Sequence, residues 1–320
     1  MSAPPSVPAS RKGRAAEGRA APGHALAATG ADPRRAHRRA LATLLLCTVL
    51  WSLAGVGTRF LERAEGFEAS FLRCAFCAAF VAAVLAVRHR GQWIARVAAS
   101  GLAGWVSGAM WATMFVAFML ALSHASVANV LLVMAAAPLL AAVLGWLVLR
   151  EPVPPRTWVA IGIAAAGIVW MVREGLSTDG VTGMAIAFAV PVAAAVNIVV
   201  LKRTGADVDL VPAVLLGALI AMAVTLPFAW PMSVSGRDLA ILAALGVFQL
   251  GLPCMLMVGA TRHLAPHEIG LLGLLEVVLG PLWVWLGVGE SPTPSTLQGG
   301  ALVLAALALN ELAGMKRQRA

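Results

Sequence analysis

Of 320 residues, 60% are hydrophobic and 12% are charged, and mean hydropathy is +0.85. So little charge cannot cover a water-soluble domain, which excludes a soluble fold and calls for lipid as solvent. The net charge of +9 does not indicate nucleic acid, because the basic residues sit in loops and tails without interleaved aromatics.

Residues 1–39 are rich in Ala, Pro, Gly and Arg, and they end on Arg34, Arg35, Arg38 and Arg39. Such a segment buries too little apolar surface to fold, so a disordered, basic cytoplasmic tail held at anionic head groups is expected. Ten apolar runs follow, near 40–61, 69–87, 100–122, 126–149, 156–173, 181–201, 211–231, 238–259, 267–288 and 295–313. Each approaches the ~20 residues that cross a ~30 Å hydrocarbon core as a helix. Residues 314–320 form a second cytoplasmic tail. Pro138, Pro191, Pro227, Pro253 and Pro281 fall inside runs, where prolines kink membrane helices. With the N-terminus inside, only Arg59, Arg63, Arg173 and Arg237 fall at the outer ends, and Arg73 lies within the second run. The remaining bases lie inside, so both termini are expected in the cytoplasm. Cys74-x-x-Cys77 has metal or redox spacing, but with no second pair and all four cysteines in apolar runs, small helix residues are expected and no metal.

The chain also repeats itself. Moved back by 139 positions, Trp285 falls on Trp146, Leu286 on Leu147, Glu290 on Glu151, Pro294 on Pro155 and Thr296 on Thr157. His263 likewise falls on His124 and Ala260 on Ala121. Five runs per half is an odd number, so the halves enter the membrane from opposite sides. The expected architecture is all-α and integral to the membrane: ten transmembrane helices in two inverted five-helix repeats, 40–173 and 181–313.

With these residues in hand, the chain resembles the EamA-type transporters of the drug/metabolite transporter superfamily over about residues 40–313. In the first half the resemblance rests on Trp51, on Ala121-Leu-Ser-His-Ala-Ser-Val-Ala, on Ala137-Pro138-Leu and on Leu149-Arg-Glu151, followed by Gly162 and Gly167. In the second half it rests on Ala260 to Pro266, Leu275-Glu276, Gly280-Pro281-Leu, Gly289-Glu290 and Gly299-Gly300. The second copy often reads Leu-Glu-Pro, and here Val277 stands in place of that proline. The resemblance implies export or exchange of small metabolites, amino acids or drugs across the bacterial inner membrane.

Glu276 is the one acidic residue deep within a run. An ionised carboxylate there costs about 2.5 kcal/mol or more unless it meets water or a partner. It fits a proton carrier or the counter-charge of an amine, and also a neutral glutamate that packs helices. Gln249 and Asn197 are candidates for lining the pathway or for bonding helices together. Trp51 is a candidate cavity wall or lipid-facing side chain. Arg73, a few residues inside the outer end of the second run, can snorkel outward and is also a candidate for contacting substrate. His124 and His263 are read as loop geometry. Glu151 and Glu290 precede Pro155 and Pro294 and are expected to cap the next helix or pair with a nearby base. Gly101, Gly104 and Gly108, with Gly270, Gly273, Gly299 and Gly300, permit close helix contact. No nucleotide-binding, metalloprotease or serine-hydrolase signature occurs, so no cofactor is expected. The expected partners are a small-molecule substrate, protons and the bilayer. The rival readings are a non-transporting sensor or scaffold, and an intramembrane enzyme, for which Glu276 lacks an acidic or histidine partner at its level. Reporter fusions at Ala320 and in the 174–180 loop should place the former in the cytoplasm and the latter outside; a C-terminal fusion active only in the periplasm would contradict the ten-helix topology.

Overall fold

A computed structural model describes residues 33–89, 92–150, 152–173, 178–204, 211–260, 264 and 266–319. Among these residues the chain is helical throughout, with no strand. The helices are α1 (Pro33–Arg59), α2 (Gly66–His89), α3 (Trp93–Ala99), α4 (Gly101–His124), α5 (Val127–Met134), α6 (Ala137–Leu149) and α7 (Pro155–Arg173). They continue with α8 (Thr178–Thr204), α9 (Val211–Ala229), α10 (Gly236–Ala244), a π-helical segment (Leu245–Gly251), α11 (Leu252–Ala260), α12 (Pro266–Val288) and α13 (Pro294–Arg319). Seven helical stretches among the described residues are long and apolar enough to cross a membrane, with shorter apolar ones over 155–170 and 272–288. Large apolar side chains also cover the outside: Val224, Leu226 and Phe228 on α9, Trp285 and Leu286 on α12. Helices apolar on every face suit lipid and not water.

Several boundaries differ from the expected runs, each for a local reason. The helix α1 begins at Pro33, so Arg34, Arg35, Arg38 and Arg39 lie on its first turns and not in a disordered tail. Proline is suited to a helix start, where its missing N–H has no intrahelical role. Residues 1–32 lie outside the described residues, as do Glu151 and His263. The fourth run is two helices, parted at Ala135–Ala136. Pro138 cannot donate to Met134, four residues back, and α5 ends there. Its repeat position is Val277, which has its N–H, and α12 runs unbroken past it. The eighth run is interrupted by the π-helical segment. Pro253 follows it, and the carbonyl four residues before Pro253 belongs to Gln249. The wider π turn accommodates the missing bond and the proline ring. Pro191, Pro227 and Pro281 sit inside helices that continue through them. Several hydroxyls are satisfied within their own helices: Thr48 donates to Leu44 O (2.9 Å), Thr58 to Gly55 O (2.8 Å) and Thr225 to Ala221 O (2.7 Å).

Packing follows the duplication. The helix α4 lies along α8 and α9, α2 along α9, α7 along α13, and α1 along α12 and α11. Exchanging each helix for its repeat counterpart reproduces the scheme: α4 on α8 becomes α11 on α1, and α1 on α12 becomes α8 on α5 and α6. The counterparts α7 and α13 pack against each other antiparallel, because Thr157 bonds Asn310 (2.8 Å) while Trp170 bonds Gln298 (3.1 Å). The ends of α2 and α9 agree, with the Phe67 ring stacked 4.9 Å from Phe228. Glycine makes the α4–α9 crossing possible: a Cβ on Gly217 would come within 2.4 Å of Trp111 Cβ and 3.0 Å of Gly108 O.

The α1–α2 loop is fastened to the α10 end by Asp238. Its carboxylate accepts the backbone N–H groups of Glu62 (2.7 Å), Arg63 (3.1 Å), Ala64 (3.1 Å) and Ser235 (3.2 Å). Ser235 Oγ in return accepts Asp238 N–H (3.1 Å), completing a capping box. An Arg237–Glu62 ion pair (3.0 Å) and a hydrogen bond from Ser233 N–H to Glu68 lie beside it. Asp238 is fully covered, so removing it strands several amides. Asp238→Ala should cost about 2–4 kcal/mol, summing a lost cap and buried amides left without acceptors. The check is the unfolding temperature in detergent against Arg237→Ala, an exposed pair that should cost under about 1 kcal/mol.

Candidate functional site: a buried polar layer between the repeats

A buried polar contact joins α2 to the π-helical segment. Arg73 is 1% exposed. It does not snorkel, one of the two readings the sequence allowed: about 10 Å into α2, it is held inward by α4 and the π-helical segment. Its Nη1 donates to Gln249 Oε1 (3.2 Å) and its Nη2 to Phe115 O on α4 (3.1 Å). The guanidinium carbon lies 5.6 Å from the centre of the Phe118 ring, a cation–π distance. Arg73 Nε has no hydrogen-bond partner among the described residues. The π-helical segment reaches α2 through Gly246, where a Cβ would fall 2.5 Å from Arg73 O and 2.7 Å from Phe76 Cβ. Any larger residue there would push Gln249 away from the arginine.

A second group adjoins the first. Trp51, half-buried on α1, lies beside Cys254 on α11, and Cys254 lies within electrostatic reach of both Arg73 and Glu276. Cys47 donates to Pro253 O (3.4 Å), which ties α1 to the same turn. The helix α12 runs parallel to α1. Trp283 Nε1 donates to Ser52 Oγ (3.0 Å), Gly280 faces Ser52 and Leu131, and Gly287 faces Val56. Glu276 lies one turn before Gly280 and two before Trp283, so it shares the face turned to α1. Its side chain is partly buried. The structure thus brings together Trp51, Gln249 and Glu276 with Arg73, for which the sequence allowed a substrate role beside snorkelling, and adds Cys254, which the sequence reading had not assigned there. Asn197 stands apart on α8, buried, with Oδ1 lacking a partner among the described residues. Pro155 and Pro294 open α7 and α13, and Pro138 opens α6.

Glu290 forms a separate polar contact at the end of the bundle that carries the α1–α2 loop. Arg59 Nε donates to its Oε2 (2.8 Å), and Val127 N–H, the first amide of α5, donates to Oε1 (3.2 Å). Arg59 also donates to Leu122 O (2.9 Å) and Ala125 O (3.3 Å) at the end of α4. The cation therefore sits at a helix C-terminus and the anion at a helix N-terminus, each where the backbone dipole favours it. Of the two expectations for Glu290, pairing with a nearby base holds in Arg59, whereas the helix it caps is α5, across the repeat boundary, and not the following α13. Both partners are part-exposed, so the pair itself is worth little and the cap most of the effect. Glu290→Ala should lower stability by about 1–2 kcal/mol, less than Asp238→Ala, as read by unfolding temperature in the same detergent.

Comparison with known proteins follows this geometry. A family model described as the EamA-like transporter family matches residues 38–173 and 181–312. No curated protein matches. A solved structure titled "Crystal structure of protein" superposes with a TM-score of 0.59 at 21% identity, covering 87% of this chain and 98% of that one. That likeness speaks for the fold alone.

Proposed function

The chain belongs to the EamA-like transporter family, and we propose from that premise that it is a secondary transporter. It exports or exchanges a small metabolite, amino acid or drug across a bacterial inner membrane by alternating access. The observation that carries the reading is a polar layer of Arg73, Gln249, Trp51 and Glu276, contributed by helices of both repeats. The antiparallel pairing of α7 with α13 and of α2 with α9 supports an inverted relation between the halves. Counting α5–α6 and α10–α11 as one span each and leaving out the seven-residue α3, ten spans result, with both termini cytoplasmic and the Arg59–Glu290 contact at the outer face. Residues 1–39 and 314–320 flank the two units on the inside. Opening to the outside then requires the Arg59–Glu290 contact between repeats to part.

Glu276 is the residue proposed to carry the coupled proton. Its repeat position is Ala137, so the duplicated scaffold does not demand a carboxylate there. Glu276→Gln is nearly isosteric and should insert normally while losing or uncoupling transport. The measurement is flux in proteoliposomes across a pH range at matched protein levels, for a substrate found by screening with and without a pH gradient. Parent flux should vary with pH and the residual flux of the variant should not. Equal flux with the same pH profile would reduce Glu276 to a packing residue.

A further inference from the structure

Among the described residues Arg73 is a cation without an anion. Among the described residues no carboxylate lies within ion-pair distance, and the ionisable groups closest in effect are the thiols Cys74, Cys77 and Cys254. A guanidinium carries five N–H donors in a planar fork. Here one goes to an amide oxygen, one to a helix carbonyl that its own helix can also use, and Nε to nothing. Buried charges are ordinarily paired, because a cation out of water is stable only against a compensating charge. Arginine serves such places where a planar, bidentate acceptor is to be recognised.

We propose that Arg73 is the substrate-binding residue for a carboxylate, and that this transporter carries small molecules bearing one negative charge. This rests on the transporter reading and specifies its substrate class. The carboxylate oxygens engage Nε and one Nη of Arg73, Gln249 orients the fork from the π-helical segment, and Phe118 lies against the guanidinium. One cation in an apolar surround is neutralised by a monoanion, whereas a dianion such as a phosphate ester brings a charge that nothing here balances. The half-buried Trp51 offers an apolar wall for the rest of the molecule. The π-helical segment has a purpose in this arrangement: it seats Gln249 beside Arg73 where a proline would otherwise have broken the helix.

The test uses the full-length protein in detergent, where binding is read as a rise in unfolding temperature. The probes are matched acids and amides: propionate and propionamide, benzoate and benzamide, with inorganic phosphate alongside. The acid of at least one pair should raise the unfolding temperature while its amide and phosphate do not. Arg73→Lys should weaken that response at least tenfold, and Arg73→Met should abolish it. Gln249→Glu decides the matter if Arg73→Met fails to fold. It supplies the missing carboxylate from within, so it should raise the unfolding temperature without ligand and abolish the response to acids. Acids and amides acting alike in the parent, phosphate acting more strongly than every acid, no acid acting at all, or an acid response surviving Gln249→Glu would each overturn the proposal. No transport occurs in detergent. A failure here therefore leaves the transporter reading standing, and acid binding without flux in liposomes would count against that reading alone.

Discussion

Within a membrane a backbone carbonyl or amide freed from its helix has no water to turn to. That constraint decides where polar side chains appear in this bundle. They gather at the places where helices stop or change pitch. Arg59 receives the carbonyls at the end of α4, Glu290 the first amide of α5, and Cys47 the carbonyl of Pro253 beyond the π-helical segment. Asp238 does the same for the amides of the α1–α2 loop. Arg73 departs from this pattern. It serves one carbonyl that already lies within α4, and its remaining capacity is unspent.

Duplication explains the scaffold and leaves the chemistry unexplained. Helix packing survives exchange of the halves, as described above. The polar layer does not. In the ungapped register Arg73 falls on Pro212, Gln249 on Met110, Glu276 on Ala137 and Trp51 on Val190. The partners of Glu290 behave in the same way: Arg59 falls on Ile198, and Val127 falls on Pro266, which has no N–H to give. A symmetric frame thus holds an asymmetric interior and an asymmetric pair of ends. Residues that the frame does not require are the ones whose presence needs a functional reason.

The frame was largely legible in the sequence, because it depends on long apolar runs and on a repeat kept in one register. Glu276, Gln249 and Trp51 were legible as unusual residues in such runs. Arg73 stayed open between snorkelling and a substrate role for a physical reason: a long side chain near a helix end can reach the head groups, and only the surrounding helices decide whether it turns inward. The close approach of Gly246 to α2, which closes that route, joins segments far apart in the chain. Asp238 did leave a signal, since Ser235-x-x-Asp238 before an apolar run is a capping-box pattern. Its further grip on the α1–α2 loop had none. Pro138 and Pro253 marked irregular helices, but their spacing did not distinguish a clean break from a π-helical turn, nor either from the unbroken passage at Pro281.

The central claim is that the layer between Arg73 and Glu276 lies on a route open in turn to each side of the membrane. Cys254 reports on it directly, since it lies within electrostatic reach of both. With Cys47, Cys74 and Cys77 replaced by alanine, Cys254 is the remaining thiol. In sealed vesicles of defined orientation, a membrane-impermeant thiol reagent should label it when applied from either side, as the protein cycles. If Cys254 resists the reagent from both sides while an introduced surface cysteine is labelled, the layer is a closed packing feature and the account is wrong.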